Sequence, residues 1–168
     1  MLLVRVGRLD AVDASLGQGC HGPSLVGASF EMRKRAIGNH LTPQCVIAHT
    51  FLPLLIAQGY GGCTLVKRTA TECALQQAVL SAIVGAAQDM LVRVLSEELA
   101  DTHVRLNEAI VYPDTSMRAR ARDPPEGLVD DWKGPVTAWL ASEEAAPVRG
   151  ATIRFVEGQS IIPDEIIS

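Results

Sequence analysis

Residues Ser81 to Asn107 read SAIVGAAQDMLVRVLSEELADTHVRLN. Apolar side chains recur there at Ile83, Ala87, Met90, Leu91, Val94, Leu95 and Leu99. Steps of three and four residues keep side chains on one face of an α-helix, so the spacing predicts an amphipathic helix over 81–100 with that stripe buried. Glu97, Glu98 and Asp101 charge its far end, and a short apolar run, Val104 to Val111, follows at once. A long helix feeding directly into a buried strand is the repeating unit of a parallel α/β sheet.

The flanks repeat this pattern. Pro43 to Gln58 predicts a second long helix, with Val46, Ile47, Phe51, Leu54 and Leu55 on its apolar side. Pro53 lacks the helical N–H and is expected to kink the last turn. Gly59 to Gly62 ends this helix, and Cys63-Thr64-Leu65-Val66 reads as a short buried strand. Upstream, Ala11 to Leu16 reads as a strand, Gln18 to Gly27 as a glycine-rich loop, and Ser29 as the N-cap of a helix through Ile37. Downstream, 115–127 is a proline-bearing loop, Leu128 to Ser142 a helix and Ala151 to Phe155 a last strand. Leu2 to Val6 fits a strand or the end of a helix equally well.

With 168 residues the chain has room for a sizeable core in a single domain, 1–168. A content of 48% hydrophobic and 20% charged residues is that of a globular chain, not a disordered one. The net charge of −4 argues against a nucleic-acid or anionic-membrane partner, since both need a basic face. Arg118, Arg120 and Arg122 cluster only in a loop and read as its solvated charges. Cys20, Cys45, Cys63 and Cys73 have no C-x-x-C spacing and no paired histidines, which argues against a metal centre. They read as reduced and mostly buried cysteines of a cytoplasmic protein. The start, MLLVRVGRLD, meets charge too early for a signal peptide. Val46 to Ala57 is apolar but carries His49 and Pro53 and is too short to span a bilayer.

Several stretches are similar to one known family. Ala86-Ala87, Leu95-Ser96-Glu97-Glu98-Leu99-Ala100 and Val104-Arg105-Leu106-Asn107 resemble the active-site helix and following strand of the short-chain dehydrogenases/reductases. Arg8-Leu9-Asp10 resembles the start of an earlier strand of that family, Trp139-Leu140-Ala141-Ser142-Glu143 a later helix, and Val148 to Phe155 its last strand. The resemblance covers Arg8 to about Gly158, the second half of a full-length member. It implies a truncated, Rossmann-like α/β fold of three layers, a short parallel sheet flanked by helices.

The same resemblance places the family's chemistry on this chain position by position. Asn39 matches the asparagine that opens a helix bulge and holds a water; a polar residue breaking one long helix is the plain alternative. Thr69 falls on the catalytic serine, although a threonine closing a strand is ordinarily a local cap. Ser81 stands where the family has its tyrosine, and Gly85 where it has its lysine. The pair Ala14-Ser15 replaces two asparagines, and Pro113-Asp114 lies two residues beyond the place of the family's Pro-Gly. Gly17-Gln18-Gly19-Cys20-His21-Gly22 is the nearest approach to a phosphate-binding turn, but it follows the wrong strand. No bound cofactor is therefore expected, and NAD(P) only if the resemblance outweighs the truncation.

These losses lead to an oxidoreductase-like protein acting as a non-catalytic binding or partner subunit. One alternative is a cofactor-independent lyase, isomerase or dehalogenase-like enzyme reusing the old substrate pocket. Its acid and base would be recruited from His40, His49, Tyr60, Tyr112 or Asp114. A second is a fragment of an NAD(P)-dependent oxidoreductase. Truncation leaves strand 11–16 as an edge with bare backbone groups. A homodimer or partner contact is thus expected through helices 43–58 and 81–100, with the isoleucine-bearing tail 159–168 against a partner and room for a small-molecule ligand.

Overall fold

The computed structural model describes residues 7–15, 24–67, 78–112 and 133–156. Four strands form one sheet in the order β1 (Ala11–Ser15), β2 (Gly61–Lys67), β3 (Val104–Tyr112) and β4 (Thr152–Val156). Every pairing is parallel, with Val12 opposite Cys63, Cys63 opposite Leu106 and Ala109 opposite Ile153. Parallel neighbours require a crossover, and the helices supply it. In chain order they are α1 (Phe30–Ala36), α2 (Thr42–Gln58), α3 (Val79–Glu98) and α4 (Lys133–Ala141).

Three layers result, as expected from the sequence. Ala48, Leu52 and Leu55 of α2, Val92 of α3 and Leu99 just past its end pack on Cys63, Leu65, Val104 and Leu106. Leu140 of α4, with Ala145 and Val148 after it, packs on Val66, Ala109 and Ile153 on the other face. Alternation along each strand sends successive side chains to opposite layers. Cys63 and Leu65 therefore face α2 and α3, while Val66 faces α4.

Local chemistry explains the boundaries. The Ser29 hydroxyl accepts the Met32 N–H at 3.2 Å and so caps α1. Gly59, at φ 87°, closes α2 by donating its N–H to the carbonyls of Leu55 and Ile56. Gly61 and Gly62 belong to β2, not to the turn, so the strand starts two residues earlier than the sequence suggests. Leu55 is the reason: a Cβ on Gly61 would meet its Cδ2 at 2.6 Å, and the backbone there sits at φ 138°. The Gln58 amide clamps β1's approach, accepting the Leu9 N–H at 2.9 Å and donating to its carbonyl at 2.7 Å.

The buried faces of both long helices differ from the expected stripes. In α3 the inward residues are Leu80, Val84, Gly85, Gln88 and Val92, whereas Ile83, Met90 and Val94 lie exposed. In α2 they are Gln44, Ala48, Leu52 and Leu55, with Val46, Leu54 and Ile56 outside. α2 is apolar nearly all round, so spacing alone does not choose its face, whereas α3 carries a polar side and its inward face is offset from the expected stripe. Contact with the sheet and with the neighbouring helical turn decides which side is buried.

Two further expectations change. α1, a π-helical turn at Ile37–Leu41 and α2 run on as one 29-residue helix, Phe30–Gln58, so its length does not exclude spanning a bilayer. Its inward face nevertheless packs on the sheet. Pro53 lies inside α2, which continues to Gln58. Of the cysteines, Cys63 is buried but Cys45 is exposed; Cys20 and Cys73 lie outside the described residues. The helix read over 128–142 is seen as Lys133–Ala141, and the tail 159–168 and residues 2–6 also lie outside.

Candidate functional site

Ligands of open parallel sheets bind outside the carboxyl ends of the strands. α2 and α3 each descend into the strand that follows, so their N-terminal turns stand at that end. The levels can be counted. Leu55 touches Gly61 at the foot of β2, and from Leu55 back to Gln44 is about 16 Å of helix, the height of about five strand residues. Gln44 therefore stands level with the last residues of β2. The same count from Leu99, beside Val104, brings Asp89 to the level of Glu108.

At this height the apolar layer gives way to charge. Lys67 ends β2 with its side chain 1% exposed, on the face it shares with Cys63 and Leu65. Its ammonium pairs with Asp89 of α3, lies 3.0 Å from Glu108 Oε1 and donates to the Gly85 carbonyl at 3.3 Å. Glu108 is wholly buried; its Oε1 meets the ammonium at ion-pair distance without hydrogen-bond alignment, and its Oε2 accepts the Thr152 hydroxyl at 3.3 Å. Burying such charges costs several kcal/mol per ion unless they compensate one another. Here one cation serves two carboxylates. Beside them Gln88 is buried and donates to the His40 carbonyl at 2.9 Å. Gln44 is fully buried, and among the described residues neither of its amide atoms finds a hydrogen-bond partner.

Asn39 lies in the π-helical turn, its side chain exposed. The helix is not broken there, as the plain alternative would have it; it widens. Pro43 explains the widening. Having no N–H, it cannot serve the Asn39 carbonyl four residues back, and its ring crowds that carbonyl. The Thr42 N–H reaches instead to the Ile37 carbonyl, five residues away, and the Thr42 hydroxyl approaches it at 3.4 Å. Bulges of this type recur at functional sites. The turn packs on the start of α3 through Ala36, Leu41, Leu80 and Val84.

Ser81 is half-buried in the first turn of α3, and Gly85 is buried one turn on. The structure thus brings the segments of Asn39 and Ser81 against each other. Thr69, Gly17 to Gly22 and Asp114 lie outside the described residues, as does the side chain of Tyr112. Among the recruitable acids and bases, His49 and Tyr60 are exposed, and partial burial lowers the pKa of His40. Burial also raises the Asp13 carboxyl, against a hydrogen bond from Thr137 that lowers it. Burial first, and the nearby Asp13 charge second, push the Cys63 thiol up to about 12. A thiol so placed is no nucleophile at neutral pH.

The Lys67–Asp89–Glu108 cluster is absent from the sequence-based site. Its signal was nonetheless present: Lys67 and Glu108 are charges on the inward phase of two apolar strands. Arg105 and Asn107, in the stretch that carries the resemblance, hold the frame. Arg105 donates to the Ser142 carbonyl at 2.9 Å. Asn107 donates to Val148 O at 3.0 Å and accepts the Ala151 N–H at 3.1 Å, fixing the entry to β4. Among the described residues no group of three metal-ligating side chains occurs.

No protein-family model and no curated protein matches the sequence. Solved structures do match the fold. A 3-ketoacyl-ACP reductase from Sinorhizobium meliloti is similar at a TM-score of 0.75 and 19% identity, over 94% of this chain and 71% of that one. A dehalogenation enzyme matches at 0.78 and 18%, over 93% and 70%. A short-chain dehydrogenase/reductase family protein matches at 0.74 and 17%, over 94% and 69%. Nearly all of this chain is thereby superposed on about seven-tenths of each neighbour. The chain has the truncated Rossmann-like fold of the short-chain dehydrogenases/reductases.

Proposed function

We propose that this chain is an oxidoreductase-like subunit that has given up nicotinamide binding and hydride transfer and works by binding a partner. The observation that carries this is Lys67. It reaches the carbonyl of Gly85, the position that the resemblance assigns to a catalytic lysine, but its ammonium is sealed from solvent by Asp89 and Glu108. A lysine so neutralised offers no charge to a cofactor ribose or a substrate. Ser81 supplies no phenol for proton transfer. The partner surface is the outer side of α2 and α3, where Val46, Leu54, Ile56, Ile83, Met90 and Val94 are exposed. Exposed apolar residues in such number mark contact surfaces, and a second copy of this chain is the simplest occupant.

Calorimetric titration of the purified chain with NADH and NADPH, alongside light scattering, tests both parts. The expected result is no saturable heat and a mass of twice the chain. Saturable nucleotide binding would overturn the loss of the cofactor and favour a fragment of an NAD(P)-dependent oxidoreductase. A second reading, a cofactor-independent enzyme, draws on the neighbour described as a dehalogenation enzyme. The polar layer at the carboxyl ends of β2 and β3 supports it as well. Turnover of a halogenated substrate without nucleotide would favour it over the first.

A further inference from the structure

The outer faces of the long helices carry opposite charge at opposite ends. Above the π-helical turn, Arg33, Lys34 and Arg35 are exposed on α1, against one acidic neighbour, Glu31. Lys34 and Arg35 flank the side opposite Ala36, which is buried against the start of α3. Arg33 is held by the Ala28 carbonyl at 2.6 Å and lies 6.0 Å from the centre of the exposed Phe30 ring. At the far end of α3, Glu97 and Glu98 are exposed, and so is Asp101 just past it. Glu97 and Asp101 continue the outer stripe of Ile83, Met90 and Val94, one helical step after another. Among the described residues none of Lys34, Arg35, Glu97, Glu98 and Asp101 has an oppositely charged group within ion-pair distance.

We infer that two copies of the chain meet antiparallel, the basic end of one helix layer seated on the acidic end of the other. The orientation rests on the second copy already proposed for α2 and α3, and adds which way round it lies and what fixes it. Heights follow from the helical rise. Counted from the feet of β2 and β3, Glu97, Glu98 and Asp101 lie within about 3 Å and Val94 at about 8 Å. Val46 and Met90 stand at about 14 Å, Ile83 at about 24 Å, and Lys34 and Arg35 at about 30 Å. A two-fold axis at about 16 Å therefore brings Ile83 to the level of Val94 in the second copy and keeps Val46 and Met90 beside the axis. It sets Lys34 and Arg35 level with the second copy's Glu97 and Glu98, at both ends of the contact. An isologous contact needs such a self-complementary patch. In parallel orientation the same faces would put like charges together at both ends, which is repulsive.

The test is sedimentation equilibrium of the full chain at low and high salt, about 0.05 M and about 0.5 M NaCl. Two variants accompany it, Lys34→Glu with Arg35→Glu, and Glu97→Lys with Glu98→Lys, and circular dichroism checks that each stays folded. The wild-type dimer is expected to weaken about tenfold at the higher salt. Each reversed pair weakens it about a hundredfold at the lower salt, because attraction becomes repulsion at both ends. Mixing the two variants restores dimerisation to within about tenfold of wild type, since every end then faces its opposite. A wild-type dimer indifferent to salt and to both pairs would overturn the antiparallel pairing while leaving the dimer standing. Variants that each weaken the dimer yet fail to restore it on mixing would overturn the pairing as well. A wild-type monomer at every concentration reached would overturn both the second copy and its orientation, and give the face to a different partner.

Discussion

At the amino ends of the strands, Leu55, Cys63, Leu99, Val104 and Leu106 close the α2/α3 face with side chains that ask nothing of their neighbours. At the carboxyl ends, on the same face, Lys67, Asp89, Glu108, Gln44 and Gln88 fill equivalent positions with groups that must be compensated. The lower layer is held by burial, at about 25 cal/mol per Å² of apolar surface. The upper layer is held by pairing, and its stability collapses when a partner is withdrawn. A parallel α/β sheet commonly turns its carboxyl end to a ligand; among the described residues, that end of this face carries one buried cation between two carboxylates.

Substitution separates the two layers most sharply. Lys67→Met strands the buried Glu108 carboxylate and leaves the partly exposed Asp89 unpaired, and a loss of about 3–5 kcal/mol in chemical denaturation is expected. That loss shrinks as pH falls, because protonation discharges the stranded carboxyls. Leu106→Ala removes apolar contact only and costs about 2–5 kcal/mol, with no pH dependence. Identical pH profiles for the two variants would erase the distinction drawn between the layers.

Gln44 supplies the next, smaller effect. Its amide is buried with no hydrogen bond among the described residues, a state that costs about 1–3 kcal/mol. Gln44→Leu, of nearly the same size, is expected to raise stability by about 1 kcal/mol in the same assay. Destabilisation instead would mean that the amide is engaged and that the upper layer reaches further than Lys67, Asp89 and Glu108.

Much of the frame could be read from the sequence, and for definite reasons. The helix–strand alternation around Ser81 to Asn107, the Ser29 cap and the stop at Gly59 are local signals, written within a few residues. Which side of α2 and α3 faces inward is not local. Ile83, Met90 and Val94 obey the helical period as well as Leu80, Val84 and Val92 do, and only contact with the sheet decides between them. The same applies to the site. Asn39 was legible as a bulge from the resemblance, and Pro43 is the physical cause that could have predicted it unaided. Lys67 meets Asp89 and Glu108 across 22 and 41 positions of sequence, a pairing that only the register of β2 on β3 and the pitch of α3 create.

The upper layer as a closed ion-pair cluster is tested most directly by competitive acylation of lysines with an N-hydroxysuccinimide ester at pH 8, mapped by peptide mass spectrometry. Lys34, exposed on α1, serves as the internal reference. Buried and paired, Lys67 should react only through local opening, at a rate about a hundredfold or more below that of Lys34. Labelling of Lys67 at a rate comparable to Lys34 would mean that the ammonium is open to solvent and free to act, and would contradict the account.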